Sequence, residues 1–368
     1  MTRDAGPTDS IVDVAGVSVG HATIADGGLQ TGVTAVLPHA GNLFRDKAPA
    51  ACRVFNGFGK SVGLLQVEEL GVVESPILLS NTFAMSACVD GALDLLLAEN
   101  PDIARETGSA NVVALECNDG YLSDMRRRAV TREHVAEAIR LARSGSFARE
   151  ASLRIGAGGP SAGAFARGSV GAGRGMSCYG LKGGIGTASR VALADGRPYT
   201  VGTLTLTNFG RLSDFVVHGR LLGKEIEALG GPAAARIRAA AIDGSGVGSP
   251  GDGSVIVVLT TDAPLDSRQL RRLCMRAASG LARTGAVIGG GSGELALAFS
   301  TAYTVPHDPP PGGGPLPRAT LHEDLLDPLF RAATDCVEAA VLDSLYSAET
   351  VVGRDGHERV ALSELGLG

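Results

Sequence analysis

Tryptophan is absent from this chain of 368 residues, and aromatic residues make up only 4% of it. Long apolar runs are missing as well. No segment approaches the ~20 apolar residues that a membrane helix needs, and Met1 to Pro7 lack the apolar core of a secretion signal. A cytoplasmic location with no membrane partner is the expectation. The six cysteines, Cys52, Cys88, Cys117, Cys178, Cys274 and Cys336, lie far apart with no CxxC pair. This excludes a disulfide framework and a thiolate metal site, leaving the thiols as small core hydrophobes. The seven histidines are equally scattered and show no HExxH or comparable ligand spacing, so neither a metal nor another cofactor is expected. Basic charge is scarce too: the formal net charge is -6, and the one dense basic run, Arg126-Arg127-Arg128, reads as a solvated surface. Duplex nucleic acid wants a basic face, so it is excluded as a partner.

Glycine is abundant, at 52 residues, which calls for many tight turns and close backbone approaches. With 44% hydrophobic and 20% charged residues, the balance is that of a soluble globular protein long enough to bury a large core, as one layered domain or two smaller ones. Strand-like segments run from Ile11 to Val19, Val33 to Leu37 and Val112 to Leu115. An Asp195-Gly196 turn predicts a hairpin whose second arm, Tyr199 to Thr207, alternates between two faces. Val255 to Thr260 and Leu295 to Phe299 are uniformly apolar, as strands covered on both sides are. Asp266 with Gln269 forms a capping-box start for a helix stopped by Gly285, and Asp327-Pro328 opens another. Thr131 to Arg143, Ala84 to Leu97 and Pro232 to Ile242 are further helices, while Pro306 to Pro317 reads as a surface loop. Strands and helices mixed in this order predict an α/β fold, a four-layer αββα sandwich in which helices cover two stacked sheets.

Three glycine-rich motifs invite catalytic or phosphate-binding readings. Gly246 to Gly251 matches GxGxxG, but a helix precedes it and a strand follows, the reverse of a dinucleotide site, so an exposed loop is the better reading. Gly159-Pro160-Ser161-Ala162-Gly163 matches GxSxG without the strand before it or the unbroken helix after it, and reads as a loop with a surface serine. Gly289-Gly290-Gly291-Ser292-Gly293-Glu294 lacks the Lys-Ser/Thr of a P-loop. It leaves Ser292 and Glu294 two residues apart at a strand entrance, with side chains on one face. Asn208, at the end of the hairpin arm, is either an oxyanion donor or a turn former. Glu116 is either an anion for a substrate ammonium or a loop carboxylate.

Gly251-Asp252-Gly253-Ser254 runs directly into the strand Val255 to Leu259. The Gly253 carbonyl is sterically open to the Ser254 hydroxyl. A cut there makes Ser254 a new amino terminus that carries both a nucleophile and a base.

Together these segments resemble the DmpA-like family, the L-aminopeptidase/D-esterase and β-aminopeptidase group of self-processing hydrolases. The resemblance spans nearly the whole chain, from Asp13-Val14-Ala15-Gly16-Val17-Ser18-Val19-Gly20-His21 through Glu116-Cys117-Asn118-Asp119-Gly120 and Lys182-Gly183-Gly184-Ile185-Gly186-Thr187 to Gly251-Asp252-Gly253-Ser254 and Ser292-Gly293-Glu294. It implies a fold like that of amino-terminal nucleophile hydrolases and a single domain, 1–368, cut after Gly253 into fragments 1–253 and 254–368. It also implies that Ser254 is the nucleophile, that Asn208 helps form the oxyanion hole, and that Ser292 and Glu294 complete the catalytic group. Substrates would be small peptides, amides or esters, and the assembly a tetramer of processed pairs. The tryptophan that lines the substrate pocket of some relatives has no counterpart here, so their side-chain preference is not carried over. Two further readings stay open: an acyltransferase using the same nucleophile, and a non-catalytic small-molecule binding protein.

Overall fold

The computed structural model describes residues 4–145, 165–242 and 253–367. The GxSxG and GxGxxG motifs, with Gly251 and Asp252, lie outside the described residues. In chain order the longer strands are β1 (Ser18–Asp26), β2 (Leu29–Leu37), β3 (Asp46–Gly57), β4 (Ile77–Asn81), β5 (Val113–Cys117), β6 (Gly184–Ala194), β7 (Arg197–Asn208), β8 (Ser254–Thr261) and β9 (Gly293–Ser300). The helices are α1 (Leu64–Leu70), α2 (Met85–Glu99), α3 (Arg132–Ser144), α4 (Leu222–Ala228), α5 (Pro232–Ile242), α6 (Ser267–Arg283) and α7 (Asp327–Tyr346).

Two sheets result, one in the order β1-β2-β4-β5 and the other in the order β3-β9-β8-β7-β6. Most neighbours are antiparallel, but β4 with β5 and β8 with β9 run parallel. Each parallel pair is bridged by a helix, α2 and α6 respectively, as a parallel connection requires. Strand alternation then sorts the apolar side chains into three layers. Ile256 and Val258 join Ile77, Leu79, Val113 and Leu115 between the sheets. Val255, Val257 and Leu259 face outward onto Leu270, Leu273 and Ala277 of α6 and Ala333, Val337 and Ala340 of α7. Leu78 and Ala114 face the other way, onto Cys88, Ala92, Val135 and Ile139 of α2 and α3. Three cores separating four layers make the αββα sandwich, and apolar burial between layers is the term that holds it together.

Local signals match local structure at several points. Asp195 (φ 52°) and Gly196 (φ 69°) form a left-handed two-residue turn between β6 and β7, the conformation an Asp-Gly hairpin needs. Asp266 accepts from the Gln269 N–H at 2.7 Å, and Gln269 returns a bond from the Asp266 N–H at 3.2 Å, closing the capping box of α6. All six cysteines are buried and none forms a disulfide. The expected strand from Ile11 to Val19 needs correction: Ile11–Asp13 is a 3-10 turn and β1 begins only at Ser18. The Asp13 carboxylate draws in the N–H groups of Thr8 and Ser10 and the Thr8 hydroxyl, and Gly16 (φ 91°) leaves the extended region, so local polar bonds outcompete the ladder there. Among the described residues no helix is long and apolar enough to cross a membrane.

Candidate active site

The heads of β8 and β9 lie side by side. Ser254, the first residue of β8, pairs with Gly293 on the parallel side and with Asn208 on the antiparallel side. It is only 6% exposed, and its Oγ accepts the Gly293 N–H at 3.1 Å. The residue before it must be glycine. A Cβ built on Gly253 would stand 2.0 Å from the Asn208 carbonyl oxygen and 2.6 Å from the Phe209 Cα, both backbone atoms that cannot move aside. The backbone at the Gly253-Ser254 bond is thus pressed against the end of β7.

Ser292 and Glu294 flank Gly293, and strand alternation turns both side chains to one face, as their spacing predicts. The Ser292 hydroxyl donates to Glu294 Oε1, and its Oγ also lies 3.0 Å from the Gly289 carbonyl oxygen. One proton serves two acceptors. Glu294 Oε2 is buried without a hydrogen-bond partner, and burial raises this carboxyl above its ordinary pKa while the Ser292 bond opposes the shift. A half-satisfied buried carboxyl of this kind is poised to hold or pass a proton.

Asn208 is held at both ends of its amide. Its Oδ1 accepts from the Ser177 N–H at 2.9 Å and its Nδ2 donates to the Asn118 carbonyl at 2.8 Å. These partners fix which end is oxygen, since a flipped amide would face donor with donor. The second Nδ2 hydrogen belongs to the same oriented group.

Glu116, near the end of β5, comes from the other sheet. Its Oε1 accepts the Lys60 N–H at 2.8 Å, Oε2 accepts the Thr82 hydroxyl, and the residue is almost wholly buried. A Cβ on Gly59 would lie 3.4 Å from Glu116 Oε1 and 3.9 Å from the Gly293 Cα, so a single glycine separates this carboxylate from the head of β9. Two sheets thus converge on one spot, with a serine on one side and an anion on the other.

Sequence reasoning missed three contributors. Asn118 supplies a carbonyl rather than a side chain. Asp119 is fully buried, neither oxygen makes a hydrogen bond, and burial raises its pKa to about 7; Thr31 and Asn81 beside it oppose the shift without reaching hydrogen-bond geometry. Lys182 is fully buried as well. The motifs Glu116-Cys117-Asn118-Asp119-Gly120 and Lys182-Gly183-Gly184 contain these residues, but nothing in a linear motif shows that a charged side chain turns inward.

The model of one family, Peptidase family S58, matches residues 9–359. The chain belongs to peptidase family S58. It is 36% identical over 371 residues to a β-peptidyl aminopeptidase of Sphingosinicella microcystinivorans, covering 98% of this chain and 87% of that protein. Among solved structures it is similar to a β-aminopeptidase of a Burkholderia species, with a TM-score of 0.80 at 32% identity over 100% of this chain and 93% of that one. It is similar too to the L-aminopeptidase D-Ala-esterase/amidase of Ochrobactrum anthropi, described as a variant of the Ntn hydrolase fold, with a TM-score of 0.81 at 30% identity over 98% and 93%. These likenesses agree with the family resemblance and the sandwich architecture.

Proposed function

We propose that the chain severs its own Gly253-Ser254 bond and then works as a serine aminopeptidase or amidase, releasing amino-terminal residues from small peptides, amides or esters. The observation that carries this reading is a serine at the head of a buried strand, register-paired with Asn208 and Gly293 and preceded by a glycine whose backbone is pressed against β7. In the precursor, Ser254 Oγ attacks the Gly253 carbonyl carbon, the C–N bond breaks, and the resulting ester is opened by water. This frees the Gly253 carboxylate and the Ser254 α-amine. With a reference pKa of roughly 7.7 to 8, that amine is neutral often enough near neutral pH to take the hydroxyl proton.

In turnover Ser254 Oγ attacks the substrate carbonyl while the Gly293 N–H holds the nucleophile in place. The second Nδ2 hydrogen of Asn208 stabilises the developing oxyanion. The Ser292-Glu294 pair relays the proton to the leaving amine, and water then hydrolyses the acyl-enzyme. Glu116 holds the substrate ammonium, which selects for a free amino terminus. Fragments 1–253 and 254–368 stay together as one sandwich, because β8 lies between β7 and β9 in a single sheet. Assembly into tetramers of such pairs belongs to the same proposal, drawn from the family resemblance and tested by light scattering.

A denaturing gel with amino-terminal sequencing tests the central claim. The wild-type protein is expected as two bands, the smaller starting Ser-Val-Ile-Val. Ser254→Ala is expected as one uncut chain with activity lower by about 10⁴-fold or more. Brisk hydrolysis of aminoacyl anilides by an unbroken wild-type chain would overturn the proposal.

A further inference from the structure

Lys182 is the most deeply buried cation among the described residues that the mechanism above leaves unused. It sits in a short two-residue strand, Leu181–Lys182, with no exposed surface, and no carboxylate bonds its ammonium. Instead Nζ donates to three backbone carbonyls, those of Gly173 at 2.9 Å, Met176 at 2.9 Å and Gly183 at 2.6 Å. Burial, with Arg174 nearby, pulls the lysine's pKa well below its ordinary value, but three carbonyls match the three hydrogens of an ammonium, whereas a neutral amine would leave one carbonyl without its donor; the geometry favours the charged form.

One of those bonds reaches the active site through a single rigid unit. The Met176 carbonyl and the Ser177 N–H are two ends of one planar peptide group, so fixing the oxygen fixes the direction of the N–H. That N–H is the donor to Asn208 Oδ1 at 2.9 Å. The path is therefore Lys182 ammonium, Met176-Ser177 peptide, Asn208 amide. Drawing electron density toward the carbonyl oxygen also strengthens the N–H as a donor, as bonds in a chain polarise one another. The carbonyls of Gly173 and Gly183 hold the rest of the loop: Met176 N–H returns to Gly173 O at 3.3 Å, and Gly183 N–H to Met176 O at 3.1 Å. On the far side Asn208 Nδ2 is tied to Asn118 O.

We infer that Lys182 is a positioning residue for the oxyanion-hole amide: its buried ammonium orients and polarises the Met176-Ser177 peptide, which in turn aims Asn208 at the reacting carbonyl. This rests on the role of Asn208 proposed above. It predicts a defect in transition-state stabilisation rather than in substrate binding, because Lys182 acts on the oxyanion donor and not on the ammonium site at Glu116.

The test compares processed wild type, Lys182→Met, Lys182→Gln, Asn208→Ala and the Lys182→Met/Asn208→Ala double variant, with kcat expressed per active site titrated by a burst of acyl-enzyme. Lys182→Met is expected to lower kcat about tenfold or more with KM within about twofold, and Lys182→Gln, which keeps two donors, to fall between it and wild type. In the Asn208→Ala background, Lys182→Met should cost nothing further, since the two act through one group. A wild-type kcat in Lys182→Met, or a loss that multiplies in the double variant, overturns the inference. So does failure of both Lys182 variants to give soluble, processed enzyme, which would assign the lysine to the fold alone. Asn208→Ala at wild-type kcat would instead remove the oxyanion reading itself, a separate and recognisable outcome.

Discussion

The two ends of the β8-β9 pair are built from the same residue types and treated differently. At the far end, the Thr261 hydroxyl donates to the Thr200 carbonyl at 2.8 Å and accepts the Ala263 N–H at 3.1 Å. Likewise Ser300 donates to Ala263 O at 2.7 Å and accepts the Ala302 N–H at 3.1 Å. These two hydroxyls each give and take a bond, and the chain turns on them; the neighbouring Thr260 hydroxyl is buried without a partner, a neutral group rather than an ionisable one. At the near end, Ser292 has one proton for two acceptors, Glu294 Oε2 has no partner, and Asp119 lies in the segment beside Asn208 with both oxygens unsatisfied. Polar groups at strand ends are ordinarily satisfied because leaving one buried and unpaired costs about 1–3 kcal/mol. What sets the near end apart is that the unpaired atoms there are carboxyl oxygens, of Glu294 and Asp119, groups that can hold or pass a proton as a buried hydroxyl cannot at ordinary pH.

The comparison breaks most visibly at Glu294. Glu294→Gln keeps the volume and removes the titratable proton, so kcat should fall by about a hundredfold to a thousandfold with little change in thermal stability; an unaltered kcat would make the near end merely imperfect. Asp119 sharpens it through pH. Its folded pKa of about 7 lies above the ordinary value of 3.8, so the stability tied to its protonated form is complete below pH ~4 and is lost as pH rises through 7. The difference is on the order of 4 kcal/mol at most. Melting temperatures from pH 4 to 9 should therefore decline more steeply for wild type than for Asp119→Asn; parallel curves would show that its burial is not felt. Ser300→Ala at the far end should cost about 2 kcal/mol in denaturant unfolding and leave kcat per site unchanged. The smallest effect is expected at Glu116. Glu116→Gln should raise KM about tenfold for substrates with a free amino terminus and change kcat less, and an equal change for amine-free esters would deny it the role of ammonium anchor.

Much of this organisation was legible before any coordinates. The Asp195-Gly196 hairpin, the capping box at Asp266 and Gln269, and the apolar strands β8 and β9 all follow from interactions within a few residues. The common face of Ser292 and Glu294 follows from strand geometry alone. The stretch from Ile11 to Val19 shows where such reading fails: its apolar pattern is strand-like, but Asp13 reaches back to Thr8 and Ser10 and the ladder starts only at Ser18. Glu116 stood equally well as a loop carboxylate, because the Lys60 N–H and Thr82 hydroxyl that clasp it come from distant parts of the chain.

What the sequence by itself determined is part of the set of elements, without β3, β4, α1 or α4, together with the layered α/β class and the serine at the head of β8, since each of these is written in periodicities and neighbours that act over one or two turns. What only the tertiary structure decided is which polar groups meet there. The pairing of Ser254 with both Asn208 and Gly293, the approach of Glu116 across the sandwich, and the lysine behind the Asn208 amide all depend on long-range register. A side chain's partners in a sheet are set by strands far away in the chain, and burial, which makes an unpaired carboxyl or a caged ammonium consequential, is a property of the packed whole.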